Sequence, residues 1–182
     1  EASNSQPFSH IHQPGIAVGG HCIPVYPRFY LSNDPSADLV RVGRATNDSM
    51  PGYAVGLAEG HLGALDGKKV AVLGAAYRGG VKETAFSGVF AVVAALAERG
   101  AIAVVHDPMY TDAELAELGF TVHHLGEPCD AAIVQTDHAR YRELAAIDLP
   151  GCQVVVDGRN HVPTSTLRSE GIAVVTIGRG GD

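Results

Sequence analysis

Apolar residues change their rhythm twice along these 182 residues. From 1 to 33 no period holds; Pro, Gly, Ser, His and aromatic residues alternate irregularly, which predicts loops. From about Ser36 the apolar positions fall at helical spacing, first Leu39, Val42, Ala45 and Met50, then Val55, Leu57, Ala58 and Leu62. Pro51 interrupts that run and suits the first turn of a new helix, where a missing N–H costs nothing. Asn47, Asp48 or Ser49 would cap it. The pattern therefore predicts two helices, roughly 35–49 and 50–64. Past Lys69 the rhythm changes again, to short unbroken Val/Ile runs. Lys69–Ala75, Ile102–His106, Thr121–Leu125, Ala131–Gln135, Gln153–Val156 and Ile172–Ile177 predict six strands. Between them Ser87–Arg99, stopped by Gly100, Asp112–Leu118, ending at Gly119, and Tyr141–Ala146 predict helices. Strands apolar on both faces belong to a parallel sheet covered on both sides. The chain thus predicts an α/β fold, a doubly wound, mostly parallel, Rossmann-like sheet over about 67–180, preceded by a loop and helical segment. Two units follow, 1–65 and 66–182.

Composition narrows the function classes. Apolar residues make up 46%, enough for an ordinary globular core. The net charge is −7 and no Lys/Arg cluster exists, which argues against a nucleic-acid partner. No run of about 20 apolar residues predicts a membrane span. No basic segment followed by an apolar one marks a secretory signal. Cys22, Cys129 and Cys152 are an odd, widely spaced set with neither a disulfide framework nor a zinc CxxC pair, which fits a reducing, cytoplasmic setting. The abrupt start at Glu1-Ala2-Ser3-Asn4 suggests a piece of a larger protein.

Candidate chemistry gathers in two places. Gly19-Gly20-His21-Cys22-Ile23-Pro24 looks like a positioned thiol, because glycines let backbone pass close to a ligand or take φ > 0. Taken alone, Cys22 also reads as a small buried apolar residue. The second place is the crevice beyond the carboxyl ends of the strands, where doubly wound sheets bind ligands. The first strand delivers Gly74-Ala75-Ala76-Tyr77-Arg78-Gly79-Gly80 there, and the fifth delivers Asp157-Gly158-Arg159-Asn160. Two arginines at one edge suit a phosphate; the alternative is that each pairs with a nearby carboxylate. A dinucleotide loop fits poorly, because Ala76 stands where GxGxxG has its second glycine and Tyr77 and Arg78 add bulk. Asp107-Pro108 reads as a strand-end turn.

These segments, in this order, resemble the nucleotide-sugar 6-dehydrogenases, the UDP-glucose and UDP-N-acetyl-mannosamine dehydrogenases. The resemblance runs from Pro14 to about Val175. It rests on Pro14–Val25, Arg44–Pro51, Val72–Gly79 with Ser87, His106-Asp107-Pro108 and Asp157-Gly158-Arg159. It implies that 1–65 holds the cysteine loop and the end of the family's central dimerisation region, and that 66–182 is its UDP-sugar-binding domain. It implies Cys22 as the nucleophile, and Gly19 and Gly20 as glycines whose backbone approaches the sugar. Tyr77 and Arg78 become the aromatic–basic pair lining the nucleotide-sugar site, with Arg159 reaching the same ligand. The implied reaction oxidises a sugar C6 alcohol to a carboxylate through a thiohemiacetal and a thioester. The implied cofactor is NAD, bound by a domain absent from this chain, so that the chain alone is expected to be inactive. The implied partners are a UDP-sugar and a second copy in a homodimer.

Three departures accompany the resemblance. The family's lysine and asparagine lie upstream of Cys22 and are missing. Tyr26 stands where the family has an aspartate, four residues after the cysteine. The family's arginine before the cysteine has no match, and Phe8, His10 and His12 occupy that stretch. The competing reading is a non-catalytic nucleotide-sugar-binding or assembly module. His10, His12, His21 and Cys22 invite a zinc reading, but neither helical HxxxH spacing nor a CxxC supports it, and no metal is expected. Cys129 and Cys152 read as core residues flanking strands.

Overall fold

A computed structural model describes residues 4, 5, 7, 8 and 13–178. Five parallel strands form one sheet in the order β2-β1-β3-β4-β5, with β1 Lys69–Leu73, β2 Ile102–His106, β3 Ala131–Val134, β4 Val154–Asp157 and β5 Ala173–Thr176. The register is continuous: Val70 pairs Ala103 and Ala131, Ala131 pairs Val154, and Val154 pairs Ala173. Val, Ile and Ala fill β3 and all of β4 but Asp157, and every residue of both strands is buried, as expected for strands sandwiched between helical layers. The chain leaves β1 toward β2, then returns to place β3 on the other side of β1. That reversal opens a crevice at the carboxyl ends of β1 and β3.

One face of the sheet packs against α2 (Asp38–Leu62) and α3 (Val89–Ala97), and this layer holds Ala54, Val55, Ala58, Val89, Val92 and Leu96. The other face packs Tyr141, Leu144, Leu149 and Leu167, the last from α5 (Thr164–Ser169). A short helix α4 (Asp112–Glu117) follows β2; Thr111 and Glu114 close a capping box at its start.

Four expectations need correction. The stretch after His21 is not loop: α1 spans Cys22–Asn33 despite Pro24 and Pro27. Pro24 sits in the first turn, where its missing N–H has no helical acceptor, and Pro27 forgoes one bond. The pair of helices at 35–64 is one helix, α2, with Pro51 inside it and buried. Asn47, Asp48 and Ser49 cap nothing: Asn47 accepts the Val18 N–H, Asp48 pairs with Arg44, and Ser49 donates to Thr46. The expected strand at Thr121–Leu125 is a single bridge, Val105 to Val122, because the chain turns away at His124–Glu127. Tyr141–Ala146 forms no regular helix; tighter turns at Ala139–Glu143 and Ala146–Asp148 take its place.

Candidate active site

The segment before α1 crosses the carboxyl edge of the sheet and is pinned there by close approaches. Ile16 is fully buried, and a Cβ on Gly158 would lie 2.4 Å from its side chain. Val18 donates its N–H to Asn47 Oδ1 at 2.8 Å, and Gly20 donates to the Ala85 carbonyl at 2.8 Å. A Cβ on Gly19 would meet the Tyr77 Cβ at 2.6 Å and the Phe86 carbonyl oxygen at 2.7 Å. Gly20 has φ +88°, a left-handed conformation that side chains resist. Both glycines therefore have packing reasons in the protein itself. The path ends at His21, and Cys22 is the first residue of α1. Its thiol is exposed, at the helix end whose partial positive charge favours negative charge. Cys129 and Cys152 are also free thiols, but both are buried.

The loop after β1 is held from beneath by Asp107, at the end of β2 and 3% exposed. Its Oδ2 accepts the N–H of Ala75 at 2.8 Å and of Ala76 at 3.2 Å, and lies 3.0 Å from His138 Nε2. Gly80 donates its N–H toward His138 Nδ1, so the ring proton sits on Nε2 and points at Asp107. Thr136 Oγ1 donates to the Ala76 carbonyl at 2.5 Å. Burial works to raise the Asp107 carboxyl, but the His138 bond and the Met109 and Ala75 N–H groups outweigh it and hold it below its ordinary value. Asp107 stands at the expected strand-end turn, its Oδ1 accepting the Met109 N–H, and it also anchors the loop after β1. These contacts also bear on a dinucleotide. The amides that would cradle a pyrophosphate in a Rossmann loop are taken by Asp107, so this loop does not fit NAD.

Gly74, at φ +102°, lets this loop leave β1 against Thr136, whose Cβ would lie 2.2 Å from an added Cβ. Tyr77 and Arg78 then project beyond the edge, the guanidinium carbon 5.9 Å from the Tyr77 ring centre. Tyr77 also donates its N–H to the Glu83 carbonyl at 3.0 Å. From the end of β4, Asp157 folds its own loop, accepting the N–H groups of Arg159, His161 and Val162. Arg159 projects from that loop, its Nη2 3.1 Å from Asp137 Oδ1. Asp137 also accepts the Gly79 N–H at 2.8 Å, which joins the two loops. Burial raises the Asp137 carboxyl, while the Gly79 N–H and Arg159 more than offset it, so it too stays below its ordinary value.

Cys22, Gly19, Gly20, Tyr77, Arg78 and Arg159 all line one cavity of about 350 Å³. Gln13 and His21 complete one side of it. Its lining combines an exposed thiol, an aromatic ring and two guanidiniums, which suits an anionic ligand carried next to a nucleophile. Tyr26 does not join it; that side chain is 64% exposed on α1, its ring 6.3 Å from that of Phe29. Among the described residues no group of three metal-ligating side chains converges, and His10 and His12 lie outside those residues. No described helix is long and apolar enough to cross a membrane. Sequence reasoning missed the roles of Asp107, Asp137 and His138, most of whose partners lie 22 to 58 positions away along the chain.

Comparison with known proteins gives one consistent result. Residues 71–164, just over half of the chain, match the UDP-binding domain of the UDP-glucose/GDP-mannose dehydrogenase family. The UDP-N-acetyl-D-mannosamine dehydrogenase of Pyrococcus horikoshii is 30% identical over 99% of this chain. That of Methanococcus maripaludis is 29% identical over 98%. In both cases the chain spans 43% of the relative's length. The solved UDP-D-ManNAc dehydrogenase of P. horikoshii superposes with a TM-score of 0.78, covering 98% of this chain and 43% of that one. A UDP-glucose dehydrogenase from Pyrobaculum islandicum superposes at 0.72, 30% identical, over 90% of this chain and 38% of that one.

Proposed function

Because the chain belongs to the UDP-glucose/GDP-mannose dehydrogenase family, we propose that it is the nucleotide-sugar-binding part of an NAD-dependent UDP-sugar 6-dehydrogenase. The observation that carries this reading is the convergence of Cys22, Tyr77, Arg78 and Arg159 on one cavity. Arg78 and Arg159 take the diphosphate through charge-assisted bonds, and Tyr77 lies along the nucleotide. The Gly19–Gly20 backbone passes beside the sugar and sets its C6 against Cys22 Sγ. Once the C6 alcohol has lost a hydride and a proton to become the aldehyde, the thiolate adds to it, forming an S–C bond while the carbonyl oxygen takes a proton. After oxidation to the thioester, water adds at the carbonyl and the S–C bond breaks, returning the thiol and a uronate. NAD would supply the hydride-accepting chemistry at each of the two oxidations, and the loop after β1, whose amides are taken by Asp107, is not its cradle. In the relatives more than half of the length lies outside the matched part, and the proposal places the NAD site there. Residues 1–182 alone, mixed with UDP-sugar and NAD, then make no NADH.

Alkylation tests this assignment without turnover. Cys22 is the exposed thiol and the other two are buried, so iodoacetamide reports on Cys22. Saturating UDP-sugar is expected to slow its alkylation strongly, and uridine alone only weakly. An alkylation rate indifferent to UDP-sugar contradicts the assignment and favours a module that binds elsewhere.

A further inference from the structure

A second cavity, of about 380 Å³, lies across the cysteine segment from the first and shares only Ala17 and Val18 with it. None of the steps above uses it. Its walls bring together α1, α2 and the start of α3. From α1 comes Arg28, exposed and without a hydrogen-bond or ion-pair partner among the described residues. From α2 comes Arg44, whose side chain is only 15% exposed. One Nη of Arg44 lies 2.8 Å from Asp48 Oδ1, and its buried Nε has no partner. Among the described residues Asp48 is the one carboxylate lining the cavity, and the same oxygen also accepts from Asn47 Nδ2 at 3.1 Å. Opposite stand Ser87 and Gly88, which lead into the nine-residue α3. Val92 is the first amide of α3 with a helical acceptor, the Gly88 carbonyl. The N–H groups of Gly88, Phe90 and Ala91 therefore point out of the helix end.

Two guanidiniums, one of them unpaired among the described residues, outnumber a single described carboxylate already engaged by two donors. Guanidinium forks match the oxygens of a phosphoryl group, and the open amides add neutral donors at a positive helix end. Phe86, Phe90 and Pro51 supply apolar walls that limit competition from water. We infer that this second cavity binds a phosphoryl-bearing anion, with Arg28 and Arg44 as its cations and Ser87 and the first amides of α3 as its neutral donors. The inference does not depend on what fills the first cavity.

The test is a titration of the isotope-labelled chain with inorganic pyrophosphate, followed at the amides of Gly88, Phe90 and Ala91. Saturable shifts are expected there. Arg28→Gln, at an exposed position, is expected to weaken the response at least about fivefold, the loss of one charge-assisted contact. Arg44→Gln should do the same where it folds. Arg159→Ala, in the other cavity, is expected to leave these shifts in place. Absence of shifts, shifts indifferent to Arg28→Gln, or shifts confined to Tyr77 and Arg78 would each overturn the inference. The same titration with NAD separates the sources. An Arg28-dependent response assigns the phosphoryl group to a dinucleotide, and a response to pyrophosphate alone assigns it to the free anion.

Discussion

Asp107 binds nothing in the first cavity, yet it fixes the loop that lines it. Three N–H groups and a histidine converge on one carboxylate. Asp107→Asn keeps the volume but sets an NH2 against at least one of those donors, leaving buried polar groups unsatisfied. A loss of about 2–4 kcal/mol in urea unfolding is expected, together with weaker UDP binding, because Tyr77 and Arg78 lose their support. Unchanged stability would mean that the loop is held elsewhere. Arg159 is a different case, with a side chain that lines the cavity itself and pairs with Asp137. The sequence made Arg159 legible, because its place after a strand depends only on local pattern. Asp107 was not legible, because its donors come from residues 75, 76 and 138, brought near only by the strand order.

The cysteine segment shows what an element needs from its neighbours. Gly19 has no room for a side chain between Tyr77 and Phe86. Phe86 itself takes φ 50°, which a bulky residue adopts only when held there. Gly19→Ala must push the segment off the loop after β1. A stability loss of about 1–3 kcal/mol is expected, with faster alkylation of Cys22 and less protection by UDP-sugar. Retained protection would show that the two elements are not coupled. Helix α1 was missed because Pro24 and Pro27 read as breakers, although Ile23, Tyr26 and Tyr30 fall at helical spacing on an exposed face. The joining of the two expected helices into α2 has a similar cause. Pro51 reads as a boundary locally, but its ring is buried and that packing offsets one lost hydrogen bond. Strands β1 to β5 were legible because each is built around an unbroken run of at least three Val, Ile or Ala residues, whatever packs on it.

The whole molecule splits α2 between two environments. Ala54, Val55 and Ala58 join the sheet's core, whereas Leu39 is 87% and Val42 60% exposed. The proposed homodimer would cover that exposed half. Sedimentation should then show association that rises with concentration and is lost in a Leu39→Glu, Val42→Glu double variant; a monomer at all concentrations would assign those residues to open surface. Acid acts on the entire fold. Burial lowers His106 to about 4 and lowers His123 in the same direction. Between about pH 6.5 and 4 the unfolded chain then binds more protons than the folded one, so stability falls as pH drops through that window, by about 2–3 kcal/mol for His106. Asp107 and Asp137, with lowered carboxyl values, add their losses only at still lower pH. A thermal midpoint constant from pH 7 to 4.5 would contradict this order. The central claim, that the crevice beyond β1, β3 and β4 is a uridine-diphosphate site, is tested most directly by calorimetry of UDP with the wild-type chain and with Arg159→Ala. Saturable binding weakened about tenfold or more by the substitution is the predicted result. Equal affinities in the two proteins, or tighter binding of NAD than of UDP in the same cavity, would contradict it.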